Sequence, residues 1–381
     1  MPVNTCRVCG NVFFKEPLLK YENMPKAAQY LPDAASLHLD KGVDLTVCQC
    51  SACGLVQLSN DPVPYFREVI RAAGISKEMT DFRMTQFREF IEKYFLKQKK
   101  VIEIGCGQGE YLLILDSLDL DAHGLEYSKE AMSRCRDKGL KVSRGFVDTE
   151  YQLHNAPFSA FFILNFLEHL PDPNAILGGI WNNLEDGGIG LVEVPNFDMM
   201  LKNDLFTEFV ADHLFYFTRE TLTTTLALNG FEVLDCNTVW YDYIISAQVR
   251  KKAQTDLSGF ELQRTQLSNE LQVYLDKFDP ETVAIWGAGH QALAVMAMLN
   301  FAGKIRFVVD SAAFKQGRYT PATHIEIVPP EALDSADIQA IIIMAASYSD
   351  EVAGIVKQRH GNRMSVAILR EYGLEILNNA V

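Results

Sequence analysis

The sequence predicts an α/β protein: two lobes built on mostly parallel sheets, each with a glycine-rich turn, behind an N-terminal four-cysteine module. Three observations lead there. Val101-Ile102-Glu103-Ile104 runs into Gly105-Cys106-Gly107-Gln108-Gly109, and Thr282-Val283-Ala284-Ile285-Trp286 runs into Gly287-Ala288-Gly289. Each is an apolar run that stops at glycines and resumes with helical periodicity, which reads as buried strand, tight turn and helix start. The third observation is the pair Cys6-x-x-Cys9 and Cys50-x-x-Cys53.

Composition bounds the function classes. At 381 residues and 48% hydrophobic the chain buries large cores, and its size suggests two or three domains. A net charge of −14 disfavours a polyanionic duplex as partner, because phosphate binding relies on clustered Lys and Arg, and leaves room for a small anionic ligand held by a few local cations. No nucleic-acid role is expected. The start Met1-Pro2-Val3-Asn4-Thr5-Cys6 lacks a charged-then-apolar leader, and no apolar run reaches the ~18 residues that span a bilayer. A cytoplasmic protein without membrane contact is the expectation. Eight cysteines are too few for a disulfide scaffold in a chain this long, and Cys6, Cys9, Cys48, Cys50 and Cys53 crowd the first 53 residues. That crowding points to metal.

Residues 1–60 form the zinc-binding module. Each Cys-x-x-Cys turn presents two thiolates, so Cys6, Cys9, Cys50 and Cys53 complete a tetrahedral site. No general base or open position is evident beside them, so the Zn2+ is structural. Cys48 is a competing ligand without the knuckle spacing.

Residues 61–97 read as a helical connector, with Phe82, Phe87, Phe90, Ile91, Tyr94 and Phe95 marking one face. Residues 98–250 are the ligand-binding lobe, with strands expected at 101–104, 122–125, 141–144, 159–164, 188–194 and 231–249. Glycines at 105, 107 and 109 let the backbone approach a ligand closely, and Glu126, ending the next apolar segment, is placed to accept ribose hydroxyls. Ligands sit beyond the carboxyl ends of such strands, which brings Glu126, Asn165 and Glu193 to one crevice and sets Gly145, Phe146 and Asp148 beside an adenine, with plain core the alternative for Phe146. The Gly-x-Gly-x-Gly spacing, after Glu103, differs from the dinucleotide pattern. It resembles the first motif of class I S-adenosylmethionine-dependent methyltransferases.

Two further stretches carry candidate chemistry. Asn165-Phe166-Leu167-Glu168-His169-Leu170-Pro171-Asp172 follows the fourth strand, and Asp212-His213-Leu214-Phe215-Tyr216-Phe217 is aromatic-rich. A methyl acceptor becomes nucleophilic by losing a proton, and His213 is the leading base. The alternative for such a histidine is a packed, hydrogen-bonded core residue.

Residues 251–381 comprise a linker helix, with Phe260, Leu267, Leu271, Tyr274 and Phe278 on one face, and a second Rossmann-like lobe. Gly287, Gly289 and Ala292 fit the dinucleotide turn, and Asp310 occupies its acidic position. Three readings stand: an NAD site, a turn kept for packing, and a nucleotide-diphosphate site with Lys315 or Arg318 at the phosphates.

The whole order is similar to the zinc-containing sugar C-methyltransferases that act on nucleotide-linked keto sugars. The resemblance rests on Cys6-Arg7-Val8-Cys9-Gly10, Cys53 to Leu58, Glu103 to Gly109, Glu168 to Asp172, Asp212 to Phe217 and Lys315-Gln316-Gly317-Arg318-Tyr319-Thr320-Pro321. It implies S-adenosylmethionine at Glu103, Gly105, Gly107, Gly109, Glu126, Phe146 and Asn165. It implies His213 as the base beside a ketone, with Tyr216 and His169 as its other active-site positions; Glu168 joins the catalytic candidates by its place directly after the fourth strand. It also implies a C-terminal lobe that helps hold the nucleotide-sugar through Gly287, Gly289, Asp310, Lys315, Arg318 and Tyr319, which weighs against NAD. The base would give an enolate that attacks the methyl group, with Tyr216 or His169 donating to the enolate oxygen; no catalytic metal is required.

Departures fall at Ile70 to Met79, where the family is rich in Tyr and Ser, at His290-Gln291-Ala292-Leu293, and at Asp212, where Glu is frequent. They keep two alternatives: O- or N-methylation of another nucleotide-linked or small polar metabolite, and a binding or scaffold protein without catalysis.

Overall fold

The computed structural model describes residues 3–29, 31–68, 75–299 and 303–378. The chain divides into two compact units, Met1–Gln254 and Thr255–Val381. Residues 70–74 of the first departure lie outside the described residues.

The cysteine module belongs to the first unit through a shared sheet. Strands Leu19–Met24, Val43–Gln49 and Val56–Leu58 pair antiparallel in that order, and Phe215–Tyr216 adds the fourth strand beside Val56 and Gln57. A short module with little core of its own is thereby stitched to the segment that carries His213.

The main sheet has seven strands in the order Phe231–Val239, Ile244–Lys251, Leu184–Pro195, Phe158–Leu164, Lys100–Ile104, Asp121–Glu126 and Lys141–Arg144. The five from Leu184–Pro195 to Lys141–Arg144 are parallel, as alternating strands and helices require. Ile244–Lys251 runs antiparallel to its neighbours on both sides. The single strand expected over 231–249 is therefore two. Trp240, Tyr241 and Asp242 all adopt positive φ and turn the chain back between them. Strand order reverses between Lys100–Ile104 and Phe158–Leu164, and a ligand crevice opens at that point, beyond the strands' carboxyl ends.

The connector is helical only over Lys77–Lys93, where Ser76 caps the start by accepting from the Met79 amide. Pro62 and Pro64 remove backbone donors upstream and help keep the helix from beginning at residue 61. Phe87, Phe90 and Ile91 pack on the sheet, whereas Phe95 lies beyond the helix end with φ 55° and is exposed. A wholly buried ion pair between Arg83 and Glu193 adds to this docking, and Gln86 Nε2 donates to the same carboxylate at 2.6 Å. Glu193 was expected at the crevice; the structure turns it to the helix instead.

The second unit holds helix Ser258–Leu275 and a seven-stranded sheet ordered Arg318–Tyr319, Glu326–Val328, Ile305–Val309, Val283–Trp286, Ala340–Ile343, Ser365–Arg370 and Gly373–Asn378. Its five central strands are parallel. The apolar runs at 283–286, 305–309 and 340–343 are almost entirely buried, as strands covered on both faces must be.

Candidate active site

The site is built from the glycine turn outward. Gly105, Gly107 and Gly109 have φ of 69°, 57° and 80°, in the left-handed region that strains other residues. A Cβ on Gly105 would meet the Phe166 ring at 2.6 Å, and one on Gly109 would meet Leu140 at 2.6 Å. Gly109 therefore seats the helix Glu110–Asp116 against the sheet, while Gly105 and Gly107 line the cleft. Glu126 Oε2 accepts from the Gly107 amide and Oε1 from the Ser128 amide, both at 2.8 Å. Burial raises the Glu126 pKa, and those amide hydrogen bonds offset it only in part. Glu103 is buried in the strand under the turn and lines neither cleft; its charge helps raise the Cys106 thiol pKa.

A closed slot and an open cleft flank Gly105. An apolar slot of only about 10 Å³ is lined by Ile104, Gly105, Leu125, Gly145, Phe146, Val147 and Phe166, and an adenine enters it only when these walls move apart. Arg67 covers its aromatic wall, its guanidinium 4.9 Å from the Phe146 ring centre. On the other side of Gly105 opens a cleft of about 280 Å³, walled by Leu164, Asn165, Phe166, Glu168, His169, Asp212 and His213. Asn165, with φ 51°, directly follows the strand Phe158–Leu164 at this wall. The glycine cradle, the open cleft beside it and the Glu126 carboxylate thus fit S-adenosylmethionine.

The two histidines meet edge to face, their ring centres 4.7 Å apart. His169 Nδ1 lies 2.8 Å from the Asp212 carbonyl oxygen, and since a carbonyl only accepts, Nδ1 carries the proton. The neutral ring therefore has its lone pair at Nε2, 3.8 Å from Glu168 Oε1. Burial lowers the His213 pKa to about 3, with His169 adding repulsion, so His213 is an unprotonated imidazole at neutral pH. Burial lowers His169 also, and drives the wholly buried Glu168 carboxyl up to about 8.

Tyr216 does not reach the cleft. Its hydroxyl accepts from the Val210 amide at 3.0 Å and donates to the Val210 carbonyl oxygen at 3.4 Å, and its ring packs on Phe209 with centres 4.6 Å apart. As placed, neither Tyr216 nor neutral His169 has a free proton for a developing oxyanion, which corrects the expected donors. Glu168, protonated over much of the neutral range, is the acid on that wall.

The sequence reading missed how Asp212 is held. Tyr65 donates to Asp212 Oδ1 at 2.6 Å, and the Ala28 amide donates to Oδ2 at 3.0 Å. Residues far apart in sequence thus fix the backbone that presents His213. Only the place of Asp212 beside His213 signals this.

Cys6, Cys9, Cys50 and Cys53 bring one sulfur each to within 4.8 Å of the others. Cys6 and Cys53 lie 3.7 Å apart, Cys9 and Cys50 3.4 Å, close to the sulfur spacing around one tetrahedral ion. Amides of Val8 and Ala52, and the Gln57 side chain, point N–H groups at these sulfurs, as thiolates require. The residues fit Zn2+; Cys48 stands outside the group.

In the second unit Gly287 has φ 119°, and a Cβ there would meet the Met344 carbonyl oxygen at 2.5 Å. Asp310 accepts from the Ala288 and Ala312 amides at 2.9 Å and pairs with Lys315 at 2.8 Å. Arg318 and Tyr319 sit exposed on the edge strand.

Comparison with known proteins follows the same outline. Residues 77–235 match the family described as a methyltransferase domain, and residues 248–367 the one described as a C-methyltransferase C-terminal domain. The chain is an S-adenosylmethionine-dependent methyltransferase. Along nearly its whole length it is similar to C-methyltransferase NovU of Streptomyces niveus, 23% identical with 96% of each chain covered. A ubiquinone biosynthesis O-methyltransferase of Methylococcus capsulatus is 28% identical over 107 residues, 26% of this chain and 45% of that one. A solved S-adenosylmethionine-dependent methyltransferase from Clostridium acetobutylicum covers 49% of this chain and 96% of its own at 15% identity, with a TM-score of 0.39.

Proposed function

We propose that the enzyme methylates carbon next to a ketone in a nucleotide-linked sugar. One observation carries the reading: His213, unprotonated at neutral pH, stands in the same cleft as Gly105 and Gly107. The match of residues 248–367 to a C-methyltransferase C-terminal domain supports carbon as the site of transfer.

S-adenosylmethionine supplies an electrophilic methyl group on a sulfonium. In this reading Gly105, Gly107 and Asn165 cradle its methionine end, Glu126 exchanges its bonds to the turn for ribose hydroxyls, and Phe146 flanks the adenine. His213 takes the proton from the carbon beside the carbonyl. The bonding pair left behind spreads onto the carbonyl oxygen, where Glu168 donates a hydrogen bond. An imidazolium and an enolate formed side by side attract strongly in a cleft of low dielectric, which helps so weak a base. Bound S-adenosylmethionine would give its methyl group to that carbon and leave as the neutral thioether, and His213 passes its proton to solvent.

Two places offer cations to the diphosphate. Lys26 and Arg67 line a cleft of about 670 Å³ that also touches Tyr65 and Tyr127. The family resemblance assigns Gly287, Gly289, Asp310, Lys315, Arg318 and Tyr319 of the second unit to the nucleotide. The Zn2+ held by the four cysteines is structural in this reading.

The test is deuterium exchange. Incubated in deuterium oxide with a nucleoside-diphosphate keto sugar and no cofactor, the enzyme should wash deuterium into the carbon beside the ketone, and His213→Ala should not. Full exchange by His213→Ala removes the base. A product methylated at oxygen, with no exchange by the unmodified enzyme, replaces the reading with O-methyl transfer.

A further inference from the structure

Glu168 and His169 are adjacent on the turn Leu167–His169, and His213 comes from the loop that precedes Phe215–Tyr216. The Leu214 amide donates to the Glu168 carbonyl at 2.8 Å, which binds the two loops together. One donor atom from each of Glu168, His169 and His213 lies within 4.8 Å of the other two. Glu168 Oε2 is buried without a hydrogen-bond partner, and no lysine or arginine among the described residues pairs with this carboxyl. The hydrogen bond from His169 Nδ1 to the Asp212 carbonyl orients the ring and leaves Nε2 facing Glu168. That arrangement is how proteins commonly prepare an imidazole to bind a metal ion.

We propose that Glu168, His169 and His213 form a second metal site, which takes a divalent ion such as Zn2+ into the cofactor cleft and thereby disables His213 as a base. Two imidazoles and one carboxylate suit borderline ions, whereas Ca2+ and Mg2+ prefer all-oxygen shells. Three protein ligands leave a coordination position open toward the cleft. An ion about 2.1 Å from each donor sets tetrahedral neighbours about 3.4 Å apart, closer than the 4.8 Å within which these donors now lie, so the site contracts on loading. Glu168 gives up its proton when the ion binds. A neutral imidazole has one lone pair, so His213 cannot hold the ion and accept a substrate proton together. The ion therefore inhibits. The existence of the site is independent of the proposed function; the inhibition rests on His213 being the base.

The experiment loads the cysteine cluster of the whole enzyme with Zn2+, then titrates Co2+ while recording visible absorption and methyl transfer to a nucleoside-diphosphate keto sugar. One further equivalent should bind, with d–d bands but without the thiolate charge-transfer band that would mark exchange at the cysteines. Affinity should fall at least tenfold in Glu168→Gln and in His169→Ala, with calorimetry of S-adenosylmethionine reporting that each variant is folded. X-ray absorption on the unmodified enzyme should find imidazole nitrogen and no sulfur around cobalt, whatever the variants do. No bound cobalt, sulfur ligation, or unchanged affinity in both folded variants overturns the site. Cobalt bound without loss of methyl transfer overturns the inhibition, and with it the role of His213 as base, while the site stands.

Discussion

The two glycine turns share one local device and differ in how it is closed. In each, a carboxylate at the end of the next strand accepts from an amide of the turn and from another two residues beyond itself: Glu126 from Gly107 and Ser128, Asp310 from Ala288 and Ala312. Asp310 is also clamped by Lys315, which reaches the Ala288 carbonyl oxygen as well. Burial would raise the Asp310 pKa, but Lys315 and the two amides outweigh it and hold the carboxyl below its ordinary range. No cation among the described residues pairs with Glu126, and burial leaves its pKa raised. A carboxylate held only by amides gives up those bonds readily for ribose hydroxyls. One locked by an ammonium group is already satisfied, so a nucleotide at the second turn has to be held by groups other than Asp310.

The largest effects that test this contrast come from adding a methyl group. Gly105→Ala combines a left-handed backbone with a Cβ 2.6 Å from the Phe166 ring. Strain of roughly 1–2 kcal/mol and overpacking of about 1–3 kcal/mol should weaken S-adenosylmethionine binding about 100-fold or more, read by calorimetry. Gly287→Ala places its Cβ against the rigid Met344 carbonyl oxygen. Its cost should appear as faster hydrogen exchange in 283–309 with cofactor affinity unchanged. A loss of cofactor affinity in Gly287→Ala would break the contrast.

Exchanging the carboxylates comes next. Glu126→Gln should cost about 1.5–3 kcal/mol of cofactor binding, roughly ten- to a hundredfold in Kd, because a charged acceptor is lost. Asp310→Asn should leave that Kd alone. Acid separates the two further. Asp310, with its folded pKa lowered, adds stability that is complete above about pH 4 and disappears as pH falls through the folded value. Glu126, with its folded pKa raised, has the opposite sign: its protonation in the folded state favours the first unit as pH falls. Lys315→Met should therefore remove about 1 kcal/mol or less from the second unit at neutral pH, since the pair is partly exposed. It should also flatten that unit's loss of protection in acid, followed by hydrogen exchange. An unchanged acid profile would mean that the amides alone hold Asp310.

Features set by local geometry were legible in the sequence, and features set by distant partners were not. The turns could be read because positive φ and close approach leave little besides glycine, and the four-cysteine cluster because two knuckles of fixed spacing bring their sulfurs together. The placement of Glu193 went wrong on strand parity. Leu191 packs with Phe87 of the connecting helix, while Val192 and Val194 face the opposite core, so Glu193 turns toward Arg83. Alternation alone allowed that reading, but the partner that selects it stands 110 residues away. The same holds for Tyr65 and Asp212, whose hydrogen bond spans 147 residues. Tyr216 misled for the reverse reason: a hydroxyl in a chemistry-rich segment is used by the backbone of Val210, six residues before it.

The smallest expected effect tests the NAD reading most directly. Gly289 fills the second glycine position of the dinucleotide pattern, where backbone comes closest to a pyrophosphate. No atom lies within 4 Å of a Cβ built on it, and its φ is outside the left-handed region. Gly289→Ala should change stability by less than about 0.5 kcal/mol, as a substitution into open space does. Cofactor affinity should not move. If the turn holds a dinucleotide, calorimetry should show NAD binding that the added methyl group abolishes, because the ligand and not the protein then needs the bare position. If it is a joint between strand and helix, calorimetry should show no heat with NAD for either protein. The glycine that tolerates a side chain then argues that only its neighbour, Gly287, is required for the fold.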